Sequence, residues 1–137
     1  MSSSPEKLNV HERVRRQHAS ELAQDYVEAI YIALEEGRNL RVADLQEIFG
    51  VSHVTVIRTL RRIEEQGLLA NAKSGELALS PEGRKLAKLS ADRHDLLVRF
   101  FRALGVSEAQ ADADAEGAEH HLSEETLGAI RRFLEKS

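Results

Sequence analysis

The strongest constraint on the fold is a pair of short helices separated by a tight turn. The first is predicted from Ala43 to Phe49, and Gly50 makes the turn that follows it. Ser52 stands where its side chain can cap a second helix, His53 to Gln66, whose apolar residues recur with helical spacing. The sequence therefore predicts two helices joined by a turn.

A β-hairpin is predicted directly after the second of these helices. Gly67 ends that helix, and the runs 68–70 and 76–79 form two short strands around the turn Lys73-Ser74-Gly75. Another helix, predicted from Val10 to Glu36, precedes the pair. Helix, helix, turn, helix and hairpin is the order of a winged helix-turn-helix, a fold that binds DNA.

The second helix of the motif carries the residue types that DNA binding requires. Between Ser52 and Arg62 there are three arginines and no acidic residue. Arg58 is placed to read guanine edges, and Val54 and Thr55 are placed to contact thymine methyl groups. Ser52, Arg61 and Arg62 suit phosphate contacts. A wing contact to the DNA backbone is expected from Lys73 on the hairpin tip. The predicted DNA-binding residues are Ser52, Val54, Thr55, Arg58, Arg61, Arg62 and Lys73.

The remainder of the chain is predicted to be helical. Ser80 caps a long helix that Gly105 closes, Ser107 caps an acidic helix that reaches His121, and Ser123 caps the last helix. The fold class is therefore mainly α, a winged helix-turn-helix domain followed by an all-helical domain. Hydrophobic spacing predicts the following buried residues in the short first helix of the motif and in the long helix: Leu45, Ile48, Phe49, Leu86, Leu89, Leu97, Phe100, Phe101 and Leu104.

Composition limits the function classes. The chain has no Cys, which excludes disulfides, thiolate zinc sites and thiol catalysis. No apolar run approaches the roughly 18 residues of a membrane span, and the first residues lack the apolar core of a signal peptide, so we expect a cytoplasmic protein. The net charge of −4 does not indicate a nucleic-acid binder, although a chain average can hide a basic patch.

The segment Glu116-Gly117-Ala118-Glu119-His120-His121 indicates metal chemistry. On a helix, Glu116, Glu119 and His120 converge on one face. From Gly105 to Ile130 there are seven acidic residues and no Lys or Arg. Because neighbouring carboxylates repel each other, a divalent cation is the simplest partner, and oxygen ligands with an imidazole suit Mn²⁺, Fe²⁺ or Zn²⁺. The alternative is a solvated acidic surface that contains a histidine.

Two further segments, Asp25-Tyr26-Val27-Glu28 and Asp92-Arg93-His94, accompany this motif and the helix-turn-helix. The order of these three segments and the helix-turn-helix along the chain resembles the diphtheria toxin repressor family. The resemblance is closest to the manganese transport regulator branch of that family. The resemblance covers residues 22–137. It implies a two-metal site with Glu116 and Glu119 as bridging carboxylates. The implied ligands are Asp25, Glu28, His94, Glu116, Glu119 and His120.

The resemblance also bears on the identity of the metal. Iron-responsive members of the family have Met and Cys where this chain has Asp25 and Glu116. Replacing soft sulfur with hard oxygen favours Mn²⁺. We therefore expect two Mn²⁺ ions per chain, with Fe²⁺ or Zn²⁺ as possible substitutes.

The function implied by the resemblance is metal-dependent repression of metal-uptake genes. The chain would bind palindromic operator DNA as a homodimer when loaded with Mn²⁺, with no membrane partner and no small organic substrate. The dimer surface is expected to include Leu127, Ile130, Phe133 and Leu134.

Other classes stay open from the sequence. One is an iron- or zinc-responsive regulator of the same fold, and another is a metal-independent winged-helix regulator whose acidic helix contacts a protein. A di-metal enzyme ranks lowest, because such enzymes use Glu-x-x-His and Gly117 stands three residues before His120.

Domain boundaries are predicted at three places in the chain. Residues 1–19 form a partly disordered extension, residues 20–85 the DNA-binding domain, and residues 86–137 the metal-binding and dimerisation domain. The extension carries His11, Arg13, Arg15, Arg16 and His18. This basic run could touch DNA phosphates, extend the first helix into the dimer interface or simply be solvated, and the sequence favours the last.

Overall fold

The structure, a computed structural model, describes residues 10–70 and 75–136. Within them the chain is mainly helical with one small sheet, as predicted. The elements in chain order are α1 (Val10–Glu35), α2 (Val42–Phe49), α3 (His53–Glu65), β1 (Leu69–Ala70), β2 (Ala78–Leu79), α4 (Pro81–Ala103), α5 (Glu108–Ala118) and α6 (Glu124–Glu135).

The chain forms two compact units, one ending at Ala87 and the other beginning at Lys88. The division falls inside α4, so the first turns of this helix belong to the first unit and the remainder to the second. The predicted functional boundaries, 20–85 and 86–137, remain a prediction, because compactness alone does not say which residues bind DNA or metal.

The core of the first unit joins α1 to the helix-turn-helix. Tyr26 and Ile30 of α1, Leu45 of α2 and Ile63 of α3 are all fully buried. Tyr26 stacks on Phe49 with ring centroids 4.4 Å apart, and burial raises the pKa of its phenol. Burial of each large apolar side chain in this core contributes about 1.5–3 kcal/mol to the free energy of unfolding. The predicted helix-turn-helix is confirmed.

The turn and the cap predicted from the sequence are both present. Gly50 ends α2 in the left-handed conformation with φ 63°, a region that glycine adopts without strain. The Ser52 hydroxyl accepts a hydrogen bond from the Thr55 amide at 3.2 Å and so caps α3. Such a cap contributes about 1 kcal/mol.

The predicted hairpin is present as a two-stranded antiparallel sheet, with Leu69 opposite Leu79 and Ala70 opposite Ala78. Ser80 joins this wing to α4. Its amide donates to the Leu68 carbonyl at 3.0 Å. Lys73, the predicted wing contact, lies outside the described residues.

The second unit packs the later part of α4 against α5 and α6. Leu97 of α4 and Leu127 of α6 are fully buried at its centre. Ala111 and Ala115 face inward from α5 with no exposed surface. Their small side chains let α5 lie close to its neighbours, which brings its carboxylates near α4.

Two sequence-based expectations about the helices were wrong. The acidic helix ends at Ala118 rather than reaching His121, because the chain tightens there and the His121 amide bonds to the Ala118 carbonyl at 3.0 Å. Three residues expected in the core are instead 42–60% exposed: Ile48, Leu89 and Leu104.

The inward face of α4 explains the errors on that helix. Gly83, Ala87, Ser90, His94 and Leu97 follow one another at spacings of four and three residues, and all but His94 are buried. Such spacing keeps a single helix face inward. Most of these residues are small or polar, so hydropathy did not single them out.

Replacement of Gly83 by alanine is expected to destabilise the protein. A Cβ at Gly83 would lie 2.1 Å from the carbonyl oxygen of Leu68, so the helix or the wing must move. The expected loss in free energy of unfolding is about 1–3 kcal/mol, measured by urea denaturation.

Gly128→Ala is the matched control, because the nearest atom to its Cβ is the flexible Arg132 guanidinium at 3.5 Å. This variant should be about 0.5–1 kcal/mol more stable than the wild type. A Gly83→Ala protein as stable as Gly128→Ala would contradict the proposed steric contact.

Candidate metal centre and DNA-binding surface

The second unit brings His94 of α4 close to two carboxylates that α5 positions. The His94 Nδ1 atom lies 3.5 Å from Glu116 Oε2 and 3.5 Å from Glu119 Oε2. The side chain of Glu119 is only 1% exposed and that of His94 15%, whereas that of Glu116 is 61% exposed. The cluster is therefore buried on one side and open to solvent on the other.

Asp112 fixes the orientation of the His94 ring. Its Oδ1 atom lies 2.8 Å from His94 Nε2. Because an ionised carboxylate only accepts hydrogen bonds, Nε2 carries the proton and donates. In a neutral imidazole Nδ1, which lies toward Glu116 and Glu119, then carries the lone pair that a metal ion would accept. A carboxylate in this position is a common partner of a metal-binding histidine.

Asp112 was not among the residues predicted from the sequence. It stands four residues before Glu116, so on α5 the two side chains share a face, and that spacing could have identified it.

The Glu119 carboxylate faces two imidazoles. Its Oε2 atom is directed toward His94, and its Oε1 atom lies 3.5 Å from Nε2 of His120, whose side chain is 5% exposed. Each oxygen of this buried carboxylate thus faces a different imidazole, and a bridging role for Glu119 stays a prediction. The neighbouring His121 is exposed.

These residues fit a divalent cation. Ligand atoms about 2.0–2.2 Å from one ion are about 3–3.6 Å apart, and the distances from Nδ1 to the two carboxylates are 3.5 Å. The buried Nδ1 atom makes no hydrogen bond among the described residues. Burying a carboxylate beside a second one is unfavourable unless positive charge compensates. His94, Glu116 and Glu119 could together hold one ion.

Four of the six predicted ligands thus lie in the second unit, namely His94, Glu116, Glu119 and His120. Asp25 and Glu28 belong to the first unit, where they are half-buried and three residues apart on α1. Their ligation of a metal stays a prediction.

The exposed face of α3 has the features of a DNA-reading helix. Val54 is 62% exposed, and it lines a shallow surface groove with the exposed Arg58 and Arg61. An exposed apolar side chain one turn before exposed arginines would suit contact with a thymine methyl beside guanine and phosphate oxygens. Arg62 is also exposed.

Ser52 and Thr55 have a structural role at the start of α3. The Ser52 hydroxyl lies 3.0 Å from Thr55 Oγ1, to which it donates, and it also accepts from the Thr55 amide. A phosphate contact by Ser52 would therefore share a group that already caps the helix. The contacts of both residues with DNA stay predictions.

A separate apolar groove of about 290 Å³ lies between α4 and α6. Leu104 and Phe133 on its walls are 60% and 50% exposed. Phe133 packs edge-on against Phe100 with centroids 5.8 Å apart. Leu127, expected at a dimer surface, is instead fully buried in the core of the unit because it faces inward from α6.

Among the described residues, no helix is both long and apolar enough to cross a bilayer.

Two sequence models of one family match the chain. The model described as "Iron dependent repressor, N-terminal DNA binding domain" matches residues 18–77. The model described as "Iron dependent repressor, metal binding and dimerisation domain" matches residues 80–137.

Curated relatives include the transcriptional regulator MntR of Escherichia coli O157:H7, which is 43% identical over 124 residues, covering 90% of this chain and 80% of the relative. The HTH-type transcriptional regulator MntR of Geobacillus kaustophilus is 38% identical over 107 residues, covering 78% of this chain and 76% of the relative.

Solved structures are similar as well. A manganese-dependent transcriptional repressor in complex with manganese superposes with a TM-score of 0.75 at 32% identity, covering 82% of this chain and 52% of that one. The IdeR of T. acidophilum, at 23% identity, shares the fold with a TM-score of 0.67, covering 80% of this chain and 53% of that one. The chain thus spans about half the length of these solved chains.

Loss of the Asp112 carboxylate is expected to weaken metal binding without removing a ligand. Asp112→Ala leaves the His94 ring free to turn, and loss of such a partner typically lowers metal affinity about 10–100-fold. Competition of the purified protein with a fluorescent chelator for Mn²⁺ measures the change.

Asp114→Ala removes the same charge from the same helix, where Asp114 accepts a hydrogen bond from Gln110 rather than contacting His94. It should change the affinity little. Equal losses in the two variants would show that Asp112 acts only through its charge.

Proposed function

This chain belongs to the manganese transport regulator branch of the diphtheria toxin repressor family and is therefore a metal-dependent transcriptional repressor; we propose that Mn²⁺ is the metal to which it responds. Its family consists of DNA-binding regulators rather than enzymes. The single observation that carries the proposed metal site is the buried Glu119 carboxylate, which faces one imidazole with each oxygen.

The proposed metal site holds two ions per chain. A bridging role for Glu119 is supported by its two oxygens, which face different imidazoles, and Glu116 approaches the same His94 nitrogen. Asp25 and Glu28 complete the set implied by the family resemblance. Four carboxylates balance the charge of two divalent ions, and the two imidazoles bind in their neutral form. The proposed ligands are Asp25, Glu28, His94, Glu116, Glu119 and His120.

Two observations favour Mn²⁺ over the alternatives, Fe²⁺ and Zn²⁺. Four of the six proposed ligands are carboxylates, which suit hard ions such as Mn²⁺, and none contains sulfur. The solved relative with 32% identity is a manganese-dependent repressor. Since Mn²⁺ is the weakest binder of the divalent series, its selection would depend on coordination geometry rather than on affinity.

DNA binding is assigned to the first unit, whose sequence matches the family's DNA-binding domain. We propose that α3 lies in the major groove with Val54, Thr55 and Arg58 toward the bases. Arg61 and Arg62, with Ser52 and Lys73, would then contact phosphates.

The chain's partner in the dimer is a second copy of itself, through the domain that matches the family's dimerisation domain. We propose the apolar groove of Phe100, Leu104 and Phe133 as part of the contact, because large apolar side chains exposed together favour burial against another surface. A two-fold dimer presents two α3 helices to the two halves of a palindromic operator, and metal-uptake genes are the proposed targets.

Metal would be linked to DNA binding through the ligand set itself. Bound ions supply the positive charge that lets the carboxylates converge. Two of the proposed ligands, Asp25 and Glu28, belong to the DNA-binding unit, and the other four belong to the second unit. Operator DNA should then tighten metal binding by the same factor by which metal tightens DNA binding, with a coupling of about 1–3 kcal/mol.

Glu119→Gln is expected to abolish metal-dependent DNA binding and to leave the helical fold intact. It removes the charge of the bridging ligand while keeping its shape. Electron paramagnetic resonance of free Mn²⁺ during titration should show about two ions taken up per wild-type chain, as the two-ion site of this proposal requires. The variant should take up fewer than one.

Glu125→Gln, at an exposed position on α6, is the control and should behave as the wild type. DNA binding is followed on a duplex selected from a random pool by the metal-loaded wild-type protein. If a chelator leaves the wild-type affinity unchanged, the chain is a metal-independent regulator and the proposal is wrong.

Arg58→Ala and Arg61→Ala should weaken DNA binding in different ways. Arg58→Ala is expected to lose about 1–3 kcal/mol of discrimination between the selected duplex and one with a changed base pair. Arg61→Ala should weaken binding to both duplexes equally. It should also lower the slope of log affinity against log salt concentration by about one unit. Fluorescence anisotropy over a range of salt concentrations separates the two, and identical behaviour of the variants would contradict these roles.

A further inference from the structure

The first helix extends beyond the part of the chain that the family model covers. It begins at Val10, whereas the match to the family's DNA-binding domain begins at residue 18. The additional turns carry Arg13, Arg15 and Arg16 against a single acidic residue, Glu12.

These turns lie beside the proposed recognition helix. Arg15, Arg16 and Ala19 of α1 line a shallow groove of about 260 Å³ together with Arg62 near the end of α3 and with Glu12. All of these residues belong to the first unit. Arg62 stands four residues after Arg58, so the two side chains share a face of α3 and the groove borders the proposed recognition surface.

The charge balance of the groove favours an anion. Three guanidinium groups face one carboxylate. Glu12 pairs with Arg16 at 2.6 Å, but both side chains are well exposed, so the pair contributes little and does not hold Arg16 in place. Like charges gathered at an open surface create a positive potential that attracts anions.

We propose that Arg15 and Arg16, together with Arg62, bind phosphates of the DNA backbone next to the bases that α3 reads. The planar guanidinium fork matches the geometry of phosphate oxygens. This inference rests on the proposed DNA binding by α3. It changes the interpretation of the extension from a solvated run to a second arm of the DNA-binding surface, because the structure places its arginines beside Arg62.

The proposal is tested with the full chain carrying Arg15→Gln and Arg16→Gln together. Glutamine is a good helix former, so α1 should persist. Binding is measured by anisotropy between 50 and 200 mM salt on two duplexes, one of random sequence and one selected from a random pool by the Mn²⁺-loaded wild type. Two lost phosphate contacts should lower the salt slope by about two units on both duplexes. The affinity of the wild type should then fall about twelvefold more than that of the variant over this range.

Arg38→Gln with Arg102→Gln is the control for net charge, since it also removes two exposed arginines but lies outside the groove and outside α3. It should retain the wild-type slope. Circular dichroism and Mn²⁺ uptake of both double variants should match the wild type.

The outcomes separate the inference from the proposed function. A wild type that binds DNA with metal, alongside an Arg15–Arg16 variant of unchanged slope, overturns the inference alone. The same loss of slope in the control also overturns it, because the effect would then reflect net charge. A wild type that binds neither duplex overturns the proposed function as well.

Discussion

The candidate metal site in the second unit depends on one buried carboxylate. Glu119 follows the last turn of α5 with 1% of its side chain exposed, and its oxygens face His94 and His120. Burial of a charged carboxylate near Glu116 is unfavourable unless positive charge is supplied. Folding therefore builds a site whose most stable form includes a cation, and the small residues Ala111 and Ala115 permit it by letting α5 approach its neighbours.

The fold of the first unit could be predicted closely because its signals are local. Gly50, Ser52 and Ser80 act through the backbone of their own turns, so sequence alone located the ends of α2, α3 and α4 to within a residue or two. The buried face of α4 could not be predicted in the same way. Gly83 and Ala87 are buried because they are small enough for close packing, a property that hydropathy does not measure.

The candidate site was likewise predicted from sequence only in part. The spacing of Glu116 and Glu119 predicted that the two carboxylates lie near each other, and the family resemblance supplied His94. Asp112 was missed because its role is to orient another side chain across two helices, which depends on the tertiary structure. The groove beside the basic extension could not be predicted from sequence either, since its neighbour Arg62 is distant in the chain and close only in the folded unit.

The uneven exposure of the cluster bears on how fast a bound metal ion would exchange with solvent. Glu119 closes the site from within, while Glu116 and Asp112 stand 61% and 67% exposed at its outer side. Water can therefore reach Glu116, and it would be able to take the place of this ligand on a bound ion without any helix unfolding. An ion held in this way would dissociate when the concentration of free metal falls. The fraction of metal-loaded protein would therefore track the metal concentration in both directions.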